Sequence, residues 1–223
     1  MTTHSSQKPV ALITGASAGI GEAIARRFAK AGWRIVAVAR RPEKLAALAR
    51  ELAEITEVRT LATDVSAADA PKQAVALAMN EFGRLDCLIN NAFAIPPMEP
   101  LTTLDEGALR TSNETNVLAP LRLTRLLADA LAESQGSVVF VNSAVVHHSR
   151  VEFGGYKLAK GALLHMASSL ATELGLEVEE GVGRTGVTRA GPATLPPAGD
   201  REVSGVRRPG DGARRAGLAD SGP

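Results

Sequence analysis

Apolar residues fall along this chain in two rhythms. Short unbroken runs, such as Val10-Ala-Leu-Ile-Thr14 and Ser137-Val-Val-Phe-Val-Asn142, read as strands buried on both faces. Longer stretches between them place apolar residues three or four apart, the mark of a helix with one buried stripe. The alternation predicts strands over Val10–Thr14, Arg34–Ala39, Val58–Ala62, Asp86–Asn90 and Ser137–Asn142. It predicts helices over Gly19–Ala31, Pro42–Glu54, Asp69–Phe82, Leu104–Ala132 and Gly155–Leu174. Pro42 and Pro71 suit the first turns of their helices, and Asp69 is placed to cap the second of these. Apolar strands alternating with helices imply a parallel sheet covered on both faces. Right-handed crossovers make it a doubly wound α/β fold.

This rhythm stops near Glu177. Residues 181–223 hold 10 glycines, 5 prolines and seven arginines, with no lysine and no strand-like run. Such a Gly/Pro share is that of low-complexity sequence. The chain therefore divides into a folded domain over residues 1–176 and a Gly/Pro/Arg-rich tail over 177–223. Two origins suit the tail: a disordered extension, or out-of-frame translation of a GC-rich gene, since Gly, Ala, Arg and Pro have GC-rich codons.

Composition narrows the functional classes. At 223 residues, 45% of them hydrophobic, the chain can bury a real core. Aromatics make up only 3%, so that core is built from Ala, Val, Leu and Ile. A formal net charge of +1 argues against nucleic acid or an anionic membrane as an obligate partner. The single cysteine, Cys87, has no partner for an internal disulfide. Met1–Pro9 lacks the apolar core of a signal peptide, and the expected location is the cytoplasm. His147, His148 and His165 have no Cys or carboxylate at metal-ligand spacing, so no metal is expected.

Thr14-Gly-Ala-Ser-Ala-Gly-Ile-Gly21 joins the first strand to the first helix. Glycines there allow a tight turn and a close approach of backbone to a pyrophosphate, which the helix N-terminus then attracts. Gly15, Ser17, Gly19, Ile20 and Gly21 are the candidate contacts. The second strand ends in Ala39-Arg40-Arg41, with no carboxylate to accept from a ribose hydroxyl. Arg40 can pair with a 2′-phosphate through its planar fork, which favours NADP, with NAD possible. Asp64 and Val65 follow the third strand within reach of an adenine. Asn91, in the run Asn90-Asn91-Ala92, can tie strands together or touch the cofactor.

Tyr156 and Lys160 stand four residues apart and share one helix face. An ammonium beside a phenol lowers its pKa toward working pH, giving a general acid for carbonyl reduction or a base for alcohol oxidation. Ser143 ends the fifth strand, where open α/β sheets bind ligands, and its hydroxyl can hold the substrate oxygen. Asn116 is a poor helix former inside a predicted helix, and a water held by its amide would link Lys160 to solvent.

These motifs, taken in order over about Lys8–Gly175, resemble the short-chain dehydrogenase/reductase family, in its compact TGxxxGxG branch. The resemblance implies a Rossmann-like three-layer αβα sheet and a catalytic tetrad of Asn116, Ser143, Tyr156 and Lys160. It also implies that Lys160 holds the nicotinamide ribose, and that the chain forms dimers or tetramers packed partly through the tyrosine helix. The substrate would be a small carbonyl or alcohol molecule.

Two departures stand out. The family has glycine after Asn-Asn-Ala, and this chain has Phe93, whose side chain can narrow the cofactor or substrate cleft. The family also continues past the tyrosine helix with a sixth strand of R-V-N type, a Pro-Gly turn, a substrate lid and a seventh strand. None is recognisable after Ala171-Thr-Glu-Leu-Gly175, and this abrupt stop favours the out-of-frame origin of the tail. The sheet is then expected to lack its last strands and to leave the fifth strand as an open edge, an aggregation hazard. The rival to an active oxidoreductase is a truncated, non-catalytic relative that binds nucleotide weakly or only self-associates.

Overall fold

The structure is a computed structural model and describes residues 8–175, 177–182 and 186–190. The strands β1 (Val10–Thr14), β2 (Arg34–Ala39), β3 (Val58–Ala62), β4 (Cys87–Asn90) and β5 (Ser137–Asn142) form nearly at their predicted bounds. They pair in parallel in the order β3-β2-β1-β4-β5. The order reverses between β1 and β4, and a cleft opens at that point, beyond the C-terminal strand ends.

Alternate residues of each strand feed two cores. Val10 and Leu12 of β1 face Ala74, Leu123, Leu127 and Leu163 on one side of the sheet. Ala11 and Ile13 face Ala25, Ala29, Leu45 and Leu48 on the other. The helices that supply these residues are α1 (Gly19–Lys30), α2 (Pro42–Leu52), α3 (Ala70–Phe82), α5 (Ala119–Ser134) and α6 (Gly154–Leu174), with α4 (Glu106–Asn113) preceding α5. Each fully buried Leu or Ile contributes roughly 1.5–3 kcal/mol. At the base of the sheet, the Asp86 carboxylate accepts from the Val10 N–H at 2.8 Å and from Arg84 Nε at 2.9 Å, joining the first strand to the fourth.

Three expectations need correction. The helix predicted over Leu104–Ala132 is interrupted. A π-helical turn over Glu114–Leu118 separates α4 from α5, and the Ala119 N–H donates to the Glu114 carbonyl five residues back. Pro120 supplies the reason, because it has no N–H to continue an i→i−4 ladder. Asp69 precedes α3 but makes no side-chain cap; its carboxylate accepts from Gln73 Nε2 instead.

The third correction concerns β5. Its edge is paired, with β6 (Glu177–Val182) parallel to it and β7 (Gly186–Ala190) antiparallel to β6. The connection spans only residues 183–185, far short of the dozen or more residues a parallel crossover requires. An open row of backbone N–H and C=O groups on β5 is satisfied by any extended segment placed beside it, whatever that segment's hydropathy. The expectations for the rest of the tail, residues 191–223, lie outside the described residues. No helix among the described residues is long and apolar enough to cross a membrane.

Candidate active site

The cleft at the C-terminal strand ends has a volume of about 870 Å³. Gly15, Ser17, Gly19, Ile20, Arg40, Asp64, Val65 and Asn91 line one stretch of it, and Ser143, Tyr156 and Lys160 line another. Gly21 and Asn116 do not reach its wall. Both act from behind it.

At the glycine loop the backbone leaves no room for side chains. A Cβ on Gly21 would stand 2.5 Å from the Gly15 carbonyl oxygen and from Asn91 Nδ2. Gly15 has φ +69°, and its Cβ would stand 2.7 Å from Asn91 Nδ2. Asn91 is the strut that makes this packing tight. Its amide donates to the Thr14 carbonyl at 2.9 Å and to the Gly15 carbonyl at 3.3 Å, while Thr14 Oγ1 accepts from the Asn91 and Ala92 N–H groups at 3.0 Å. The strut ties β1 to β4 directly under the loop. Gly21→Ala is therefore expected to destabilise the fold by about 1–3 kcal/mol, because backbone cannot yield as a flexible side chain can. A urea titration of both proteins measures it, and an unchanged midpoint would show that the loop has slack.

The outer face of the loop is open. Nothing lies within 4 Å of a Cβ built on Gly19, and Ala18, which precedes α1, provides no side-chain cap for its first N–H groups. Such a helix end is a ready anion site. Two arginines stand nearby. Arg40 is 76% exposed and lies 3.8 Å from Asp64. Arg41, a cleft residue that the sequence alone did not separate from its neighbour, donates to Ser17 Oγ at 3.0 Å and to the Ser17 carbonyl at 3.1 Å. Asp64 accepts from the Ser66 N–H and hydroxyl at 2.9 and 2.7 Å. Burial pushes its carboxyl up, but the two Ser66 hydrogen bonds and the Arg40 charge outweigh that and hold it below the usual aspartate value.

At the other stretch, α6 presents Tyr156 and Lys160 one turn apart. Gly155 lets this helix seat closely, since a Cβ there would meet Leu104 Cδ2 at 2.6 Å. Lys160 is 3% exposed and donates to the Val141 carbonyl at 2.9 Å. Its ammonium lies 5.9 Å from the centre of the Tyr156 ring and 6.0 Å from that of Phe93. Asn142, a residue not anticipated from sequence, holds this junction: its amide donates to the Lys160 carbonyl at 3.2 Å and its Oδ1 accepts from the Ser143 N–H at 2.9 Å. The signal was an amide at the end of a strand, where Asn is disfavoured. Ser143 then opens a short 3₁₀ turn, Ala144–His147, with its hydroxyl accepting from the Val145 N–H at 3.3 Å.

The phenol is tuned differently from the sequence expectation. Burial pushes the Tyr156 pKa above its ordinary value, and a hydrogen bond with Ser143 only partly offsets this. Desolvation of a phenolate in the cleft wall is the larger of these two effects. Tyr156 is thus a protonated phenol at neutral pH, the form that donates.

Asn116 is tied to the backbone around it. It is 1% exposed, within the π turn. Its Oδ1 accepts from the Ala94 N–H at 3.3 Å, and its amide donates to the carbonyls of Ala94 (2.6 Å) and Ser112 (2.8 Å). The amide clamps the chain leaving β4.

The sequence of residues 9–188 matches the short chain dehydrogenase family. Serine 3-dehydrogenase of Agrobacterium fabrum is 33% identical over 163 residues, 73% of this chain and 65% of that protein. The chain spans less than two thirds of the length of the first such curated relatives. Among solved structures, an alcohol dehydrogenase from the archaeon Thermococcus sibiricus complexed with 5-hydroxy-NADP superposes with a TM-score of 0.74 at 30% identity, covering 78% of this chain and 75% of that one. A metagenomic short-chain oxidoreductase in complex with NADP gives 0.73 at 32% identity, covering 78% and 81%. With a family match over most of its length and relatives above 30% identity, the chain belongs to the short chain dehydrogenase family.

Proposed function

We propose that this protein is an NADP-preferring oxidoreductase that interconverts a secondary alcohol and a ketone, with Tyr156 as the group that transfers the proton. The observation that supports it is one continuous cleft with an anion-binding loop and two arginines along one stretch and a protonated phenol beside a serine along another.

The residues present fit a bound dinucleotide phosphate. The uncapped start of α1 and the open backbone at Gly19 would take the pyrophosphate, and Arg40 with Arg41 would take the 2′-phosphate. Asp64 and Val65 would flank the adenine, and Asn91 would keep the loop in shape. NADPH, when bound, supplies the hydride that a carbonyl carbon accepts. Ser143 would hold the carbonyl oxygen, and the Tyr156 hydroxyl would give that oxygen its proton as the alcohol forms. Lys160 would steady the phenolate left behind and hold the nicotinamide ribose. In the oxidative direction the same groups act in reverse. A homo-oligomer, dimer or tetramer, packed partly through α6 is part of this reading.

The cofactor choice is tested by Arg40→Ser combined with Arg41→Ser. Each charge-assisted hydrogen bond to a phosphate is worth roughly 1.5–3 kcal/mol. With two such bonds removed, the double variant is expected to lose about 100- to 10,000-fold in NADPH affinity while NADH affinity changes little. Fluorescence titration with both cofactors reads this, and a wild type that binds NADH more tightly than NADPH would refute the role given to the arginines.

A further inference from the structure

Ser143, Tyr156 and Lys160 supply the polar groups at one stretch of the cleft. The opposite kind of surface stands beside them. Phe93, Ile95, Met98 and Leu101, all between β4 and α4, are between 39% and 55% exposed, a dense run of apolar side chains for one connection. Of these Phe93 lines the cleft itself, together with Ala144.

The segment is not free to move aside. The Asn116 amide grips the Ala94 peptide through both its N–H and its carbonyl, and Ser112 Oγ donates to that same carbonyl at 3.2 Å. Pro96 lies against Gly155, where an added Cβ would come within 3.1 Å of Pro96 Cγ, and Leu101 lies against Gly154. Those two glycines directly precede Tyr156. The residues after Phe93 are thus anchored to the same helix that carries the proton donor, and the Phe93 ring stands 6.0 Å from the Lys160 ammonium.

Resting on the reductase reading above, we propose that Phe93 is a specificity-determining residue whose ring receives the apolar substituent of the carbonyl substrate, so that the cleft takes aryl and other hydrophobic ketones ahead of small hydroxylated ones. An aryl group gains by covering the ring face and displacing water from it. A hydroxyl placed there loses its hydration, because Phe93 offers it neither donor nor acceptor. The carbonyl oxygen keeps its partners on the other wall in both cases.

The test uses the full chain with NADPH, and acetophenone and hydroxyacetone as paired probes. Wild type is expected to show the higher kcat/KM for acetophenone. Phe93→Gly, which restores the residue usual in the family, is expected to lower the acetophenone-to-hydroxyacetone ratio about tenfold. Phe93→Leu keeps an apolar wall and is expected to hold the ratio within about threefold of wild type. NADPH affinity, read by fluorescence without turnover, stays within about twofold in both variants. A ratio that does not move in Phe93→Gly overturns the proposal, as does a loss confined to NADPH affinity, which would assign the ring to the cofactor. A wild type that binds no NADPH takes down the reductase reading and this proposal with it. A wild type that binds NADPH but favours hydroxyacetone overturns this proposal alone.

Discussion

Tyr156→Phe is expected to lose about 100- to 10,000-fold in kcat for ketone reduction, the usual worth of a positioned general acid. The substitution removes one hydroxyl and keeps the ring. Fold and NADPH affinity are therefore expected to stay close to wild type, and the loss falls on the chemical step. Burial holds the phenol above its ordinary value despite the Ser143 hydrogen bond. The protonated, donating form thus persists through neutrality and is lost only as pH rises past the ordinary tyrosine value of about 10. Tyr156 is the chain's single tyrosine, so its ionisation is visible directly as the rise in near-ultraviolet phenolate absorbance. The titration midpoint in the free protein is expected above that of free tyrosine. A midpoint below it would mean that the ammonium outweighs burial, as the sequence alone suggests.

Lys160→Met is expected to lower kcat/KM by roughly ten- to a thousand-fold. An opposite charge beside an ionising group favours its charged form, and removing it deprives the phenolate formed in the reaction of that support. Met keeps the length and apolar stem, so packing around the 3% exposed side chain is largely retained. It does leave the Val141 carbonyl without the 2.9 Å bond it receives from Lys160, at a cost of about 1–3 kcal/mol. Activity and melting temperature are therefore measured together. The pH profile separates the two effects: loss of the charge moves the basic limb of the reaction toward higher pH, whereas mere loosening of the helix lowers the profile without moving it. An unmoved limb would reduce Lys160 to a structural residue.

β1, β2 and β4 were legible because both faces of each strand are covered, which writes an apolar run into the sequence. The glycine loop and the α6 pair were legible because spacing alone fixes their geometry. The π turn was not, since five residues of altered hydrogen bonding barely disturb a 3.6 period, and only Pro120 marked it. The strand over Glu177–Val182 carries three glutamates among its six residues and reads as polar loop. Its pairing follows from the free edge of β5, a property of the sheet that no local pattern records. The bonds of Asn116 to Ala94 and of Asn142 to Lys160 were hidden for a related reason: each reaches a main-chain group distant in sequence. Burial of the tyrosine, which sets its pKa, likewise depends on the whole cleft wall and not on the neighbouring lysine.

In the proposed function, this cleft binds NADPH and delivers a proton from Tyr156 to a carbonyl. The most direct measurement is NADPH oxidation, followed by loss of its near-ultraviolet absorbance, for the full chain and Tyr156→Phe with a panel of ketones, after NADPH binding to each has been confirmed by fluorescence. The account predicts binding by both proteins and ketone-dependent oxidation by the wild type alone. Equal turnover by the two proteins, or no NADPH binding by the wild type, would contradict it.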